Sequence, residues 1–335
     1  MSDLIAPFPY FGGKAKIARA VWEHFGDVDN YVEPFAGSLA VLLGRPAEHQ
    51  RKAETVNDLD NYLTNLWRAV QAEPDAVAYW ADWPVNETDL HARHIWLVTH
   101  GRDRLVNLDA DPTAYDAQVA GWWLWGICSW IGSGWCSGAG PWQVVDGRLV
   151  NANTDGQGIN RQLPHLGNSG QGINRQRPHL GNSGRGINRQ RVNIYDYMQA
   201  LASRLRDVRV CCGDWQRVVT PGALAYGANV GVFLDPPYAA ETGRDMNLYN
   251  HENDVSAAVR EWAFANGDNP RYRIALCGYE GEHDMPGWHV YHWIAEASYK
   301  TSRGDQNGNR HRERVWFSPH CLHIKFGLFD AANEP

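Results

Sequence analysis

The spacing of apolar positions predicts strands and helices that alternate along the chain. Short apolar runs bounded by turn residues are typical of buried strands, whereas apolar residues that repeat every three or four positions indicate helices. The candidate strands are Tyr31–Glu33, Val208–Cys212, Val230–Leu234, Tyr272–Cys277 and Cys321–Phe326. The candidate helices are Leu39–Leu43, Asn61–Trp80, Asp116–Trp130 and Tyr195–Leu205. This alternation favours an α/β fold with a mostly parallel sheet.

A stretch of different character interrupts the alternation between about Val85 and Val192. It is mostly helical in its spacing, rich in tryptophan, and basic toward its end. Its tryptophans, among them Trp122, Trp123 and Trp125, are expected to lie in a hydrophobic core. The chain is therefore predicted to consist of an α/β part at residues 1–84, an inserted lobe at 85–192 and the rest of the α/β part at 193–335.

A basic repeat with a period of 14 residues fills the end of this lobe. GQGINRQLPHLGNS begins at Gly156, GQGINRQRPHLGNS follows, and a truncated GRGINRQR ends at Arg191. The segment contains six arginines and no acidic residue, so it carries +6 while the rest of the chain carries −13. Each unit has too few apolar residues to bury a core, which predicts a loop. Either a basic arm along a phosphate backbone or an inert, solvated linker fits this composition.

Composition sets broader limits. The 335 residues, the apolar fraction of 44% and the net charge of −7 describe a globular protein that can bury a full core. No apolar run reaches membrane-spanning length, and the first residues lack the features of a secretion signal. The six cysteines show neither metal-site nor secretory spacing. We therefore expect a cytoplasmic protein with reduced thiols and no bound metal.

The residues Asp235-Pro236-Pro237-Tyr238 directly follow the predicted strand Val230–Leu234. The prolines fix φ and have no N–H, so the carbonyls around them can accept hydrogen bonds from an amino group. Asp235 offers a second acceptor and Tyr238 an aromatic face. Two acceptors would orient the amino group of a flat nitrogenous base without a strong general base, as methyl transfer to such a group requires. A strand that ends in a proline-stiffened turn is the structural alternative.

Three further motifs suit the binding of a nucleotide-like cofactor. Tyr10 and Phe11 precede Gly12-Gly13-Lys14, a turn in which the glycines allow close backbone approach and the lysine can pair with a carboxylate. Glu33-Pro34-Phe35-Ala36-Gly37-Ser38 follows the first strand, where ligands of open α/β sheets lie. Asp58 follows a short strand, at the spacing from the first turn typical of an acid that binds ribose hydroxyls. Asp58 or Asp60 could instead cap a helix.

Together these motifs resemble those of the Dam-type adenine-specific DNA methyltransferases, including phage-encoded members. The resemblance covers roughly residues 6–70 and 193–320. It implies a Rossmann-like, S-adenosylmethionine-dependent methyltransferase sheet in which the inserted helical lobe recognises the DNA target. It also implies a catalytic pocket at Asp235, Pro236, Pro237 and Tyr238 for a flipped adenine. The cofactor residues that it implies are Tyr10, Gly12, Gly13, Lys14, Glu33, Pro34, Phe35, Gly37, Ser38, Asp58, Asp214, Trp215 and Asp235.

More specific roles are implied for several of these residues. Tyr10 and Lys14 would contact the methionine part of S-adenosylmethionine, and Asp58 would bind its ribose. Asp214 would meet the amino group of the cofactor adenine, with Trp215 packed nearby. The family often has a second glycine after Gly37, where this chain has Ser38-Leu39, so the turn is expected to be shaped differently.

Double-stranded DNA is the expected partner. The arginines predicted to contact it are Arg161, Arg175, Arg177, Arg185 and Arg189 in the repeats and Arg303 and Arg310 near the end of the chain. A solvated loop is the alternative for the second group. A monomer is expected, and a cognate restriction nuclease is a possible further partner.

Three functions remain open at this point. Methyl transfer to N6 of a flipped adenine in DNA is the function that the motifs favour. Transfer to N4 of cytosine uses the same pocket chemistry on a smaller base. A DNA-binding relative without activity is the third possibility, but it would have no need for Lys14, Asp58 and Asp235.

Overall fold

A computed structural model describes residues 4–10, 14–50, 52–111, 113–130, 134–136, 142–151, 193–237, 252–293 and 313–322. The chain divides into two compact units. The first unit contains residues 1–2, 11–57 and 215–335, and the second contains residues 3–10 and 58–214. The division predicted from the motifs, into 1–84, 85–192 and 193–335, stays a prediction.

The described elements alternate as an α/β sequence. The strands are β1 (Asn30–Glu33), β2 (Ala53–Asp58), β3 (Trp142–Val145), β4 (Arg148–Asn151), β5 (Val208–Cys212), β6 (Val230–Leu234), β7 (Tyr272–Tyr279), β8 (His289–His292) and β9 (Glu313–Phe317). The helices are α1 (Ala18–Phe25), α2 (Ala40–Leu43), α3 (Asn61–Ala72), α4 (Pro74–Ala81), α5 (Glu87–Trp96), α6 (Ala117–Ser129), α7 (Ile194–Leu205) and α8 (Glu252–Asn266).

The first unit is built on a mostly parallel sheet. Its strands run in the order β2-β1-β6-β7-β9-β8. β1 pairs in parallel with β2 and β6, and β6 pairs in parallel with β7, whereas β9 is antiparallel to both β7 and β8. Every residue of β1 and of β6 is buried, as expected for strands covered on both faces. The expected mixed α/β fold with a mostly parallel sheet is thus confirmed.

The order of these strands indicates where along their carboxyl ends a ligand is expected to bind. The chain passes from β1 to β2 on one side, and β6 lies on the other side of β1. Parallel strands of an open α/β sheet bind ligands beyond their carboxyl ends, at the point where the order of the strands reverses. The residues that follow β1 and β6 lie at this point.

The second unit is mainly helical. Pairs of helices pack together, α4 with α6 and α7, and α3 with α6 and α7. Four helices begin at a residue whose side chain accepts a hydrogen bond from a backbone N–H of the first turn, which satisfies an otherwise unpaired donor. These capping residues are Asp60, Asn86, Asp116 and Asn193.

The tryptophans of the second unit surround a buried arginine. Trp123 and Trp125 are buried, as predicted, while Trp122 is half-buried. The guanidinium carbon of Arg93 lies 4.9, 5.1 and 4.4 Å from the ring centroids of Trp83, Trp122 and Trp125. Cation–π contacts therefore compensate part of the cost of burying this charge.

Several predicted elements differ from those observed. The single helix predicted at Asn61–Trp80 is wrong, because Pro74 cannot continue the hydrogen-bond ladder and the preceding Glu73 leaves the helical region, with φ −138° and ψ 61°. The strand predicted at Cys321–Phe326 is wrong for Cys321, which lies in a bend, and for Leu322, which has no regular secondary structure; its remaining residues fall outside the described residues. The last strand, β9, lies earlier in the chain.

Other observations bear on compartment and metal binding. None of the described helices is long and apolar enough to span a lipid bilayer. The six cysteines are unbridged thiols. In the part of the chain that the structure describes, no group of three or more His, Cys, Asp or Glu side chains is arranged to hold a metal ion.

Candidate functional site

Asp235 lies at the carboxyl end of β6, and its side chain forms an ion pair. Its Oδ1 is 3.2 Å from Nζ of Lys14, and the two side chains are 21% and 6% exposed. Burial by itself lowers the pKa of the Lys14 ammonium, but nearby negative charges, that of Asp235 first and also that of Glu313, raise the pKa above its ordinary value. Lys14 is therefore a fixed cation beside the Asp235 carboxylate at neutral pH.

Glu313 is a second carboxylate beside Lys14, and no sequence motif indicated it. It is the first residue of β9 and pairs in register with Tyr279, the last residue of β7. Because β9 is antiparallel to β7, its first residue lies at the edge where the parallel strands end. Its Oε2 is 3.6 Å from Nζ of Lys14, and its side chain is 10% exposed. The apolar run Val315-Trp316-Phe317 was the available signal for this strand, but the sequence gives no sign of the contact with Lys14.

Two further side chains border this ion pair. The ring of Trp293 lies 5.8 Å from Nζ of Lys14, a cation–π distance. The Cys277 thiol is fully buried on β7, and burial followed by the charge of Asp235 raises its pKa well above the ordinary value. The thiol therefore stays protonated, and the ion pairs of Lys14 are with the two carboxylates of Asp235 and Glu313.

The turn after β1 begins beside the end of β6, because β1 and β6 are neighbouring parallel strands. Asn57 holds this turn in place. The Asn57 side chain donates to the carbonyl of Pro34 at 3.0 Å, and the backbone carbonyl of Asn57 accepts from the Ala36 N–H at 2.9 Å. Glu33 is buried and accepts a 2.9 Å hydrogen bond from the Tyr31 hydroxyl. Burial, followed by the charge of Glu33, raises the Tyr31 pKa well above its ordinary value, so the hydroxyl remains a donor.

The backbone of this turn forms without the second glycine that the family often has after Gly37. Gly37 has φ 45° and Leu39 has φ 56°, so a leucine takes the left-handed conformation that glycine adopts more easily. Leu39 is fully buried, and its packing offsets a strain on the order of 1–3 kcal/mol. Ser38 is also buried, and the Phe35 ring lies 6.1 Å from that of Trp215, at an angle of 30°.

In the second unit, Asp58 and the segment before Asp214 are joined by a backbone hydrogen bond. The Gly213 N–H donates to the carbonyl of Asp58 at 3.1 Å. Oδ1 of Asp58 accepts from the Asp60 N–H at 2.9 Å, while the Asp60 side chain caps α3 through the Tyr62 N–H at 2.8 Å. Of the two acids, Asp60 is therefore the one that caps the helix.

Tyr10 lies on an aromatic group of the second unit. Its ring meets Phe8 edge to face at 6.1 Å, and Phe8 contacts Trp67 and Trp123 at 5.7 and 5.3 Å. The Tyr10 side chain is 39% exposed, so part of the ring can contact a ligand.

Some predicted site residues lie outside the described residues. They are Gly12, Gly13 and Tyr238, and the arginines Arg161, Arg175, Arg177, Arg185, Arg189, Arg303 and Arg310.

The side chains at these strand ends suit S-adenosylmethionine. In the first unit, the turn from Glu33 to Ser38 presents a backbone shaped by Gly37 at positive φ, beside the aromatic pair of Phe35 and Trp215. In the second unit, Asp58 and Asp214 carry carboxylates, which are groups that can accept hydrogen bonds from hydroxyl and amino groups.

A comparison with protein families agrees with this chemistry. Residues 10–89 match the family described as D12 class N6 adenine-specific DNA methyltransferase. No curated protein matches the chain. The matched segment contains Lys14, the turn after β1 and Asp58, three of the motifs that suggested a cofactor site. This match covers 80 of the 335 residues and supports transfer of a methyl group from S-adenosylmethionine to N6 of adenine in DNA.

Proposed function

We propose that Asp235 and the Pro236 carbonyl hold the N6 amino group of an adenine that has left the DNA stack. The observation that carries this proposal is the position of Asp235 directly after β6, with its carboxylate paired to a buried cation. Pro236 is buried and Pro237 half-buried, so the backbone beside this acid is held in place. Tyr238 would stack on the extruded base, which offsets part of the cost of unpairing it.

The residues of this pocket act by orientation. S-adenosylmethionine, when bound, supplies a methyl group carried by a positively charged sulfur. Asp235 and Pro236 would accept the two amino hydrogens and so aim the nitrogen lone pair. Because Lys14 stays protonated, it cannot remove a proton from the amino group. Asp235 needs to act only as a hydrogen-bond acceptor, and the amino proton can leave to solvent after transfer.

We assign the ribose to Asp58, the cofactor adenine to Asp214 and Trp215, and the remainder to the turn from Glu33 to Ser38. Contacts of Tyr10 and Lys14 with the methionine part were predicted from the resemblance. Both contacts stay predictions; the ammonium of Lys14 also has two carboxylates of the protein as neighbours.

Replacing Asp58 with alanine is expected to weaken S-adenosylmethionine binding about ten- to hundred-fold, because a hydrogen bond to a charged group is worth on the order of 1.5–3 kcal/mol. Calorimetric titration of the purified variant measures this directly. Asp60→Ser is the matched control, since it removes the neighbouring acid but keeps a residue that caps helices well. Unchanged affinity in Asp58→Ala would contradict the ribose assignment.

We also propose that the inserted lobe at residues 85–192 recognises the DNA target. Its antiparallel hairpin, β3 and β4, turns at Asp146-Gly147, whose φ values of 49° and 71° suit a two-residue hairpin turn. The basic repeats begin soon after this hairpin, and a cationic segment in an acidic chain is suited to contact phosphates. Arg303 and Arg310 would extend this contact.

The expected product is N6-methyladenine. DNA incubated with the full-length enzyme and S-adenosylmethionine can be digested to nucleosides and analysed by mass spectrometry. N4-methylcytosine in the digest would contradict the adenine assignment. Substituting 2-aminopurine at the target position should give enhanced fluorescence on binding, because the base leaves the stack.

We further propose that the enzyme acts as a monomer in the cytoplasm, where both substrates occur, with a restriction nuclease as a possible partner.

A further inference from the structure

Three ionisable side chains form a buried group that we call the charge cluster: Asp235, Lys14 and Glu313. Nζ of Lys14 is 3.2 Å from Asp235 and 3.6 Å from Glu313, and all three side chains are largely buried. They come from three separate parts of the chain. With both carboxylates ionised, the charge cluster has a net charge of −1.

Catalysis by Asp235 does not explain why a second carboxylate is buried at this place. A single lysine would neutralise Asp235 completely and leave no net charge beside the reacting atoms. It would also compete with the substrate amino group for the oxygens of Asp235. A second carboxylate takes part of the hydrogen-bonding capacity of the ammonium, which has three donors, and restores the negative charge.

We propose that Glu313 is a positioning residue which, through Lys14, orients Asp235 and gives the pocket the net negative charge that favours the cationic methyl donor over its neutral product. This inference rests on the proposed role of Asp235. S-adenosylmethionine and S-adenosylhomocysteine differ by the methyl group and by one positive charge. During transfer that charge moves from sulfur toward N6, the atom that Asp235 contacts, so the same negative charge also stabilises the transition state.

The test compares the affinities of the two ligands in a series of charge variants. The net charge of the cluster is −1 in the wild type, 0 in Glu313→Gln, −2 in Lys14→Gln, and −1 again in the double variant. The dissociation constant of S-adenosylhomocysteine divided by that of S-adenosylmethionine should increase as the net charge becomes more negative. We expect Glu313→Gln to lower the affinity for S-adenosylmethionine about ten-fold, the size expected for one charge acting over several ångströms. The affinity for S-adenosylhomocysteine should change less than about two-fold.

Calorimetry on the full-length variants without DNA gives both constants. A residue that only supports the fold would weaken both ligands equally, and a lost contact with the methionine carboxylate at Lys14 would also affect both equally. The ratio therefore reports the charge alone. Glu280→Gln is the matched control, because Glu280 also pairs with a residue of β9, Arg314 at 3.0 Å, but is 58% exposed.

A second measurement is the rate of a single turnover with saturating DNA and cofactor. Glu313→Gln should reduce this rate about ten-fold, the size of one modest charged interaction, and Glu313→Asp, which keeps the charge, should recover part of it. If Glu313→Gln does not fold, Lys14→Gln decides, because its net charge of −2 should raise the ratio above that of the wild type, and an unchanged ratio there would overturn the proposal.

Two other results would also overturn the proposal: a ligand ratio in Glu313→Gln equal to that of the wild type, or a double variant whose ratio departs from it by ten-fold. Neither depends on turnover. An Asp235→Ala variant that still methylated DNA would instead overturn the proposed function, so the two failures are distinguishable.

Discussion

Replacing Asp235 with alanine is expected to reduce the single-turnover rate of methylation about 10²- to 10³-fold, the usual effect of removing one preorganised polar group aimed at the reacting atoms. The variant loses the acceptor that orients the amino nitrogen, and the Lys14 ammonium is left with Glu313 as its neighbour. The rate is measured with radiolabelled S-adenosylmethionine and duplex DNA at saturating concentrations.

The controls separate chemistry from folding. Thermal unfolding and cofactor titration should show that Asp235→Ala is folded and binds S-adenosylmethionine. Asp235→Asn keeps the shape of the side chain and one carbonyl acceptor, so its rate should lie between those of the wild type and the alanine variant. A near wild-type rate for Asp235→Ala would mean that this carboxylate does not contact the reacting nitrogen.

Deleting the two complete repeats, Gly156 to Ser183, is expected to weaken DNA binding and to flatten its salt dependence while cofactor affinity stays the same. Three of the six arginines of the repeats are lost: Arg161, Arg175 and Arg177. Each phosphate contact contributes about 0.9 to the slope of log affinity against log salt concentration. The slope should therefore fall by as much as about 2.7. Fluorescence anisotropy with a labelled duplex over a salt series measures it.

A charge-only variant distinguishes the arginines from the length of the segment. In this variant, glutamine replaces Arg161, Arg175 and Arg177, so the segment keeps its length but loses the same three charges. If the repeats bind phosphates, this variant and the deletion should share the reduced slope. An unchanged slope in both would identify the repeats as an inert linker.

Two strands were predicted with the limits that the structure shows, β5 and β6. β6 is buried on both faces and has no polar positions to blur its limits, whereas β5 is partly exposed and contains Arg209. Pro74 indicated a break in the helix predicted at Asn61–Trp80, but the prediction followed the helical spacing of the apolar residues. The left-handed φ of Leu39 is set by burial of its side chain in the folded core, so the sequence indicated only that this turn had to differ.

The candidate site was predictable as separate motifs. Lys14 and Asp235 were each singled out by the residues around them, but their ion pair joins positions far apart in the chain, and local patterns hold no information on such a contact. Glu313 was missed because its position depends on the antiparallel direction of β9. For Asp58 and Asp60, the structure identifies the helix cap, which periodicity alone had left open.

The order of the units along the chain has a consequence for biosynthesis. β1 pairs with β6 through Asn30 and Val230, whereas most of the second unit is the continuous stretch 58–214 between them. A ribosome that has reached residue 214 has therefore synthesised the helices α1 to α7 but, of the strands of the first unit, only β1 and β2. Domains tend to fold as they emerge, and unpaired strand edges favour aggregation. Slower translation across the repeats would prolong the exposure of β1 on the nascent chain, so synonymous codons there should influence the yield of folded enzyme.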